Sequence, residues 1–117
     1  MIQQGDIYWY DLRKSRGSEP GYYRPVVIVQ NNIFNRSAIR TVVACALTSQ
    51  LRRGRHPGNV VLRKGEANLP KRSVVNVSQL LTLDKGQLGE RIGTLPKGRV
   101  AEIIGGIRLL IEPRELP

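Results

Sequence analysis

Arg24 is the residue best placed for chemistry on a phosphate group. It follows Tyr22 and Tyr23 and precedes Pro25. A guanidinium group presents a planar set of donors that matches phosphate geometry, and it stays charged because its pKa lies above about 12. Arg24 therefore suits electrostatic stabilisation better than proton transfer. Judged from the residues alone, the alternative that Arg24 pairs with Glu19 or extends over the surface is slightly favoured.

The two tyrosines before Arg24 could hold unpaired bases. Stacking of a base on an aromatic ring tolerates any sequence and contributes about 1 to 3 kcal/mol per base. The alternative is that one of Tyr22 and Tyr23 packs inward. Under either alternative one ring stays exposed beside Arg24.

Basic side chains cluster further along the chain. Arg52, Arg53 and Arg55 crowd a loop rich in Gly and Pro, and a bound anion would relieve their mutual repulsion. Lys71 and Arg72 could extend the same groove. The chain has 19 basic and 9 acidic side chains and a net charge of +10. Such a charge favours a nucleic-acid partner, with a solvated basic surface or an acidic protein partner as alternatives.

Metal chemistry has little support in the composition. The chain has one His and one Cys, which cannot make an ordinary zinc ligand set. His56 lies in the basic loop, where a surface position is expected, and Cys45 lies in an apolar run, where a core position is expected. We predict no metal and no other cofactor.

Two strands and the loop between them should position Arg24. Pro25 biases Arg24 toward an extended backbone, and the β-branched run 26–29 predicts a strand buried on both faces. The first strand is predicted at 5–11, and 13–23 reads as a long loop of the kind that is usually functional. Further strands are predicted at 25–30, 41–47, 60–62, 73–77, 80–83 and 88–95, with turns at 65–68 and 84–86 and a helical turn within 31–37.

A helix should close the chain. Apolar residues recur at three- and four-residue steps after position 100, which is typical of a helix packed on a core. Pro96 suits its first position, Thr94 or Leu95 its N-cap, and Pro113 its end. Gly105 and Gly106 each cost about 1 kcal/mol in a helix, so we expect close approach of another element.

The length and the hydrophobicity pattern set the overall class. We predict a single domain over residues 1–117, mainly β with a C-terminal helix, curled into a small sheet or barrel. No apolar run reaches the roughly 20 residues that span a bilayer, and the N-terminus does not resemble a signal peptide. A soluble cytoplasmic protein with no membrane partner is therefore expected.

Several motifs together resemble the MazF/PemK family of toxins. They are GDIYWYDL, GSEPGYYRPVVIVQN, TVVACALTS, SVVNVSQLLTLDK and RIGTL, in this order over nearly the whole chain. The resemblance implies an SH3-like barrel of the kind shared with the CcdB gyrase poison, usually a homodimer. It also implies the toxin of a type II toxin-antitoxin system, a metal-independent endoribonuclease that is inhibited by a MazE-like antitoxin with an acidic tail.

The resemblance also implies roles for particular residues. It implies that Arg24 is the central catalytic residue. It also implies that the hydroxyl of Thr48 donates to a phosphate oxygen, whereas the sequence alone indicates only a turn residue. Glu19 would orient Arg24 or accept the 2′-hydroxyl proton. Gln79 would read a base edge or bridge the site, and Ser49 and Gln50 would contact sugar and phosphate. The family often carries an acid and a base where this chain has Ser78 and Leu81, and Pro20 replaces a polar residue.

The implied reaction is sequence-selective cleavage of single-stranded RNA. Attack by the 2′-hydroxyl would leave a 2′,3′-cyclic phosphate and a 5′-hydroxyl. The substrate would be messenger RNA, with ribosomal or transfer RNA as further candidates. Its cleavage would inhibit translation and growth. Two alternatives remain open. One is a CcdB-like poison that binds a topoisomerase and cuts nothing, and the other is a nucleic-acid-binding barrel without catalysis.

Overall fold

The computed structural model describes residues 1–12 and 23–117. Within these residues one antiparallel sheet has the strand order β4-β5-β3-β2-β1-β6. The strands are β1 (Asp6–Asp11), β2 (Tyr23–Ile28), β3 (Thr41–Thr48), β4 (Val60–Leu62), β5 (Ser73–Asp84) and β6 (Arg91–Thr94). The α-helices are α1 (Asn32–Asn35) and α2 (Lys97–Ile111), and 3₁₀ helices lie at Leu51–Arg55, Glu66–Asn68 and Lys85–Gln87. The predicted class, mainly β with a C-terminal helix, is confirmed.

Strand β2 lies near the middle of the sheet and is covered on both faces. Val26, Val27 and Ile28 are each at most 1% exposed. Val27 belongs to the cluster beneath α2, whereas Val26 and Ile28 belong to a second cluster on the other face. The prediction of a strand buried on both sides is confirmed, although β2 begins and ends two residues earlier than expected.

Strand β5 is one long strand where two were predicted. Its register with β3 shifts at one place: Cys45 lies opposite Leu80, whereas Leu47 lies opposite Val75. Residues 76–79 of β5 therefore face a single residue of β3, which makes a large bulge. The predicted break at this position was wrong as a strand boundary, because pairing with β3 resumes on both sides of the bulge.

The sheet curls until the segment after β4 reaches β6. Asn68 Nδ2 donates to the backbone carbonyl of Ile92 at 3.2 Å. The carbonyl of Ala67 lies so close to Gly93 that a Cβ at that position would overlap it. The contact closes the half-barrel without a strand pair. Strand β6 is shorter than the predicted 88–95, since it begins at Arg91 after the 3₁₀ helix Lys85–Gln87. The turn predicted at 65–68 contains the 3₁₀ helix Glu66–Asn68.

Helix α2 begins one residue later than predicted. Pro96 is the residue before the helix and has an extended backbone, with φ −69° and ψ 162°. Thr94 does not cap the helix, because its hydroxyl donates to Asp6 Oδ1 at 2.7 Å. Leu95 does not cap it either, because the N-cap position is occupied by Pro96. The helix ends before Pro113, as predicted.

The adjacent glycines of α2 have different environments. A Cβ on Gly106 would overlap the carbonyl oxygen of Gly58, whereas a Cβ on Gly105 would meet nothing within 4 Å. The expected close approach is therefore confirmed at Gly106 and wrong at Gly105.

Cys45 is a core residue, as predicted. Its side chain is 0% exposed, and burial raises the pKa of its thiol to about 12. Among the residues that the structure describes, no helix is both long and apolar enough to cross a bilayer.

Candidate active site

Arg24 and Thr48 lie between two adjoining cavities. The first, which we call the aromatic cavity, has a volume of about 260 Å³ and is also lined by Trp9, Tyr23, Ser49 and Lys71. The second, the amide cavity, has a volume of about 210 Å³ and is also lined by Gln50, Arg53, Asn76 and Gln79. Arg24, Leu47 and Thr48 line both cavities and form their shared wall.

Pairing of β2 with β3 explains why Arg24 and Thr48 meet. Val26 lies opposite Ala46 in this antiparallel pair. Arg24 is two residues before Val26, and Thr48 is two residues after Ala46. Because side chains alternate with a period of two along a strand, both project from the same face. The sheet register therefore directs a guanidinium and a hydroxyl to one place.

The hydroxyl of Thr48 is oriented by its own turn. Its Oγ1 accepts a hydrogen bond from the backbone N–H of Gln50 at 3.2 Å. A hydroxyl has one donor besides its acceptor lone pairs, so Thr48 can still donate its hydrogen toward the cavities. The turn role and the phosphate-binding role considered for this residue are compatible.

Two aromatic rings stack at the edge of the aromatic cavity. The ring centroids of Trp9 and Tyr23 are 5.5 Å apart and the ring planes differ by 7°. Tyr23 remains 56% exposed. Tyr23 can therefore stack on one further group, whereas Trp9 is partly buried. Sequence reasoning assigned no site role to Trp9, since its position beside Tyr23 depends on the pairing of β1 with β2.

The bulge in β5 gives the amide cavity its polar side. Asn76 and Gln79 are three residues apart and would face opposite sides of a regular strand, but here both line the cavity. Bulges commonly redirect side chains near functional sites. Asn59 supports the bulge, because its Oδ1 accepts from Val77 N–H at 2.9 Å and its Nδ2 donates to the carbonyl of Arg53 at 2.9 Å.

Only some of the predicted cationic residues reach the cavities. Arg53 and Lys71 line them, and Arg53 Nε donates to Gln50 Oε1 at 2.9 Å. Arg52 and Arg55 are exposed on the same 3₁₀ helix but line neither cavity, and Arg72 is also exposed outside them. They could contribute only to the surrounding electrostatic field.

Proton carriers are scarce at this site. Among the described residues that line the two cavities there is no carboxylate and no imidazole. His56 is exposed and lines neither of them. The predicted residues Glu19 and Tyr22 lie outside the described part of the chain. Across residues 1–12 and 23–117, no group of three His, Cys, Asp or Glu side chains could hold a metal ion.

The fold and this site define a class of protein. A curled sheet carries a cleft with cations, a hydroxyl donor, amides and stacked aromatic rings, which suits a single-stranded polyanion. Residues 3–111 match the model of the family described as PemK-like, MazF-like toxin of type II toxin-antitoxin system. The chain belongs to this family, and the resemblance found in its motifs is confirmed.

Characterised relatives cover almost the whole chain. Endoribonuclease MazF6 of Mycobacterium tuberculosis is 38% identical over 112 residues, which are 96% of this chain and 98% of that protein. Endoribonuclease MazF of Staphylococcus saprophyticus is 36% identical over 107 residues, 92% of this chain and 88% of that protein.

Solved structures share the fold. An endoribonuclease in complex with its cognate antitoxin from Mycobacterial species has a TM-score of 0.77 and 28% identity, over 98% of this chain and 100% of that one.

Proposed function

We propose that this toxin is a metal-independent endoribonuclease that cuts single-stranded RNA sequence-selectively and thereby inhibits translation and growth. The observation that carries the proposal is the shared wall of the two cavities, where Arg24 and Thr48 stand together. A phosphate bound at this wall would have one neighbouring nucleotide in each cavity. Messenger RNA is the main substrate, with ribosomal and transfer RNA as further candidates.

The two residues act on the charge that develops at phosphorus. Arg24 stabilises the negative charge of the phosphorane with its guanidinium group. Thr48 donates its hydroxyl hydrogen to a non-bridging oxygen. The 2′-hydroxyl oxygen forms a bond to phosphorus as the bond to the 5′-oxygen breaks. The 2′-hydroxyl proton passes to Glu19 or to solvent water, and the leaving 5′-oxygen takes a proton from water, so the products are a 2′,3′-cyclic phosphate and a 5′-hydroxyl.

The carboxylate with a proposed role at the site lies outside the described part of the chain. Glu19 is the acid nearest to Arg24 in the sequence, and no described carboxylate lines the cavities. We propose that Glu19 either accepts the 2′-hydroxyl proton or orients Arg24. Orientation is the stronger assignment, because an adjacent guanidinium lowers the pKa of a carboxyl group and weakens it as a base.

The other lining residues bind the RNA chain. Tyr23 and Trp9 offer ring faces for an unstacked base, and Tyr22 is proposed to add a third. Ser49, Gln50 and Lys71 contact sugar and phosphate, and Arg52, Arg53 and Arg55 attract the backbone. Gln79 contacts a base edge. Single-stranded RNA suits this arrangement because its bases can be turned out and stacked.

The partners follow from charge and from the relatives. A net charge of +10 would attract the acidic tail of a MazE-like antitoxin, and the mycobacterial endoribonuclease structure is described as a complex with its cognate antitoxin. Such a tail would compete with RNA for the cationic cleft. We further propose that residues 1–117 act as one domain, as a homodimer, in the cytoplasm.

The test is cleavage of a long single-stranded RNA in EDTA by the purified protein. We expect wild type to cut, and Arg24→Ala and Thr48→Ala to lose about a hundredfold or more in rate. Arg36→Ala and Thr41→Ala are matched controls, because both residues are exposed and line neither cavity. Mass analysis of the fragments should show the cyclic phosphate.

The same experiment separates the alternatives. Cleavage that survives both substitutions would indicate a contaminating nuclease. RNA binding without cleavage by wild type would support a non-catalytic barrel. Inhibition of gyrase with no effect on RNA would support a CcdB-like poison.

A further inference from the structure

The amide cavity contains a buried side chain that sequence reasoning did not connect with the site. Asn76 is 7% exposed and lines the cavity beside Arg24 and Thr48. It lies at the start of the bulge in β5. A buried amide has two donors and an acceptor to satisfy, so its hydrogen bonds indicate which of its atoms faces the cavity.

Hydrogen bonds determine which way the side-chain amide of Asn76 is oriented. The side-chain amide of Asn59 has only one possible orientation, because its Oδ1 accepts from Val77 N–H and its Nδ2 donates to the carbonyl of Arg53. The same Nδ2 approaches Asn76 Oδ1 at 3.5 Å. Ser78 Oγ donates to Asn76 Oδ1 at 2.8 Å. The carbonyl oxygen of Asn76 therefore faces Asn59 and Ser78, and its amide nitrogen points away from them.

That amide nitrogen has no hydrogen-bond acceptor within the part of the chain that the structure describes. Asn76 Nδ2 donates to no group in residues 1–12 and 23–117. Over the same residues, every side-chain nitrogen or oxygen that is fully buried has a hydrogen-bond partner. Asn76 Nδ2 is therefore reached from outside, and the opening beside it is the amide cavity. Two N–H donors are held there with no acceptor.

Arg53, which lines the same cavity, also offers donors. Arg53 uses its Nε for Gln50, so the terminal nitrogens of its guanidinium are available. A nucleobase entering this cavity would meet N–H groups from both Asn76 and Arg53. A keto oxygen accepts from such groups, whereas an exocyclic amino group would bring hydrogen against hydrogen.

We propose that Asn76 is a specificity-determining residue that selects uracil through O4 or guanine through O6, the keto oxygens that stand where cytosine and adenine carry an amino group, beside the cleaved phosphate. The inference rests on the proposed function, because a phosphate at the shared wall places the next base in the amide cavity. Asn59 is a positioning residue that holds Asn76. Adenine and cytosine are rejected at this position because each carries an exocyclic amino group there, which would face the N–H groups of Asn76 and leave them without an acceptor.

The first test reverses the donors. Asn76→Asp keeps the shape and replaces N–H₂ by an acceptor oxygen. Cleavage of a randomised single-stranded RNA pool is mapped by sequencing the ends. Wild type should cut next to uracil or guanine with at least about a tenfold preference at one flanking position. In Asn76→Asp that preference should disappear or turn toward cytosine or adenine.

The matched control carries the same change in charge elsewhere. Asn31 caps α1, accepting from the N–H groups of Ile33 and Phe34 through Oδ1, and Asp caps a helix as well as Asn does. Asn31 lines neither cavity. Asn31→Asp should keep the wild-type base preference, so a shift seen only in Asn76→Asp is local to the cavity.

A second test needs no acidic group in the interior. One RNA carries uracil at the preferred position and another carries 4-thiouracil, whose sulfur is a weaker acceptor. If guanine is preferred, 6-thioguanine is used. The thio RNA should be cut about tenfold more slowly by wild type, and Asn76→Ala should cut both RNAs at nearly the same rate.

The outcomes distinguish the two levels of the argument. Wild type that cuts no RNA overturns the proposed function and this inference with it. Wild type that cuts RNA with adenine or cytosine at both flanking positions overturns the inference alone. Two further results would each overturn the inference alone. One is a preference for uracil or guanine that is unchanged in Asn76→Asp, and the other is slower cutting of the thio RNA that is unchanged in Asn76→Ala.

Discussion

The backbone N–H of Gln50 donates to the hydroxyl of Thr48 at 3.2 Å. This bond ends β3 and, because it uses the oxygen as an acceptor, keeps the hydroxyl hydrogen available to a phosphate. The turn and the proposed phosphate contact thus involve the same hydroxyl group. Substitutions at Thr48 can separate shape from hydrogen bonding.

Thr48→Val keeps the shape of the side chain and removes the donor. We expect it to lower the rate of RNA cleavage by about a hundredfold, the typical cost of losing a donor to a developing oxyanion. Thr48→Ser keeps the hydroxyl and should retain most of the rate. Single-turnover cleavage with saturating protein measures both. Equal rates for the two variants would contradict a donor role.

Gly106 and Gly105 should respond in opposite directions to Ala. At Gly106 the added methyl would overlap the carbonyl of Gly58, so we expect a loss of about 2 kcal/mol in the free energy of unfolding. At Gly105 the methyl meets open space, and better helix propensity should add up to about 1 kcal/mol. Urea unfolding of both variants measures the difference. Equal losses would contradict the observed packing of α2 on Gly58.

Glu66 should make stability depend on pH in the acid range. Its Oε1 and Oε2 accept from Arg99 at 2.9 and 2.8 Å, and these hydrogen bonds lower the pKa of the Glu66 carboxyl. Below about pH 4.3, the ordinary glutamate value, the unfolded chain takes up a proton that the folded chain resists. The stabilisation is therefore complete above that pH and is lost as the pH falls.

Glu66→Gln removes this contribution. At neutral pH we expect it to lower the free energy of unfolding by about 2 kcal/mol, since hydrogen bonds to charged groups are strong. Between neutral pH and pH 3, its stability should also fall less than that of wild type. The control is Glu115→Gln, which changes an exposed acid beyond α2. Parallel pH profiles for wild type and Glu66→Gln would contradict the role of this ion pair.

Cys45 should resist thiol reagents while the protein is folded. Burial raises the pKa of its thiol to about 12, so little thiolate forms near neutral pH, and the side chain is 0% exposed. Because Cys45 is the only cysteine, reaction with a chromogenic disulfide at pH 8 reports this site alone. Labelling should be slow in buffer and rapid in urea. Rapid labelling in buffer would contradict a core position.

Local patterns in the sequence predicted part of the site and could not predict the rest. Pro25 and the apolar run after it predicted the rigid edge that carries Arg24, because that signal involves neighbouring residues. Thr48 was assigned to the site only through the resemblance to the family, since a Thr-Ser pair at a strand end indicates a turn when it is taken alone. The stacking of Trp9 on Tyr23 depends on the pairing of two strands, which no local pattern specifies.

The bulge in β5 was the main feature missed. Asn76 stands between Val75 and Val77 in an otherwise apolar run, and a polar residue there was the available signal. A strand with strict alternation would direct Asn76 and Gln79 to different faces. Only the shifted register with β3, supported by the amide of Asn59, brings them together.

Under the proposed function, the shared wall of the two cavities bears on which transcripts could be cut. Bases that left the wall in two directions could not keep a complementary strand opposite them, so a cutting site inside a hairpin stem would be protected. The same message would be spared or destroyed according to how it folds, and according to whether passing ribosomes had opened it.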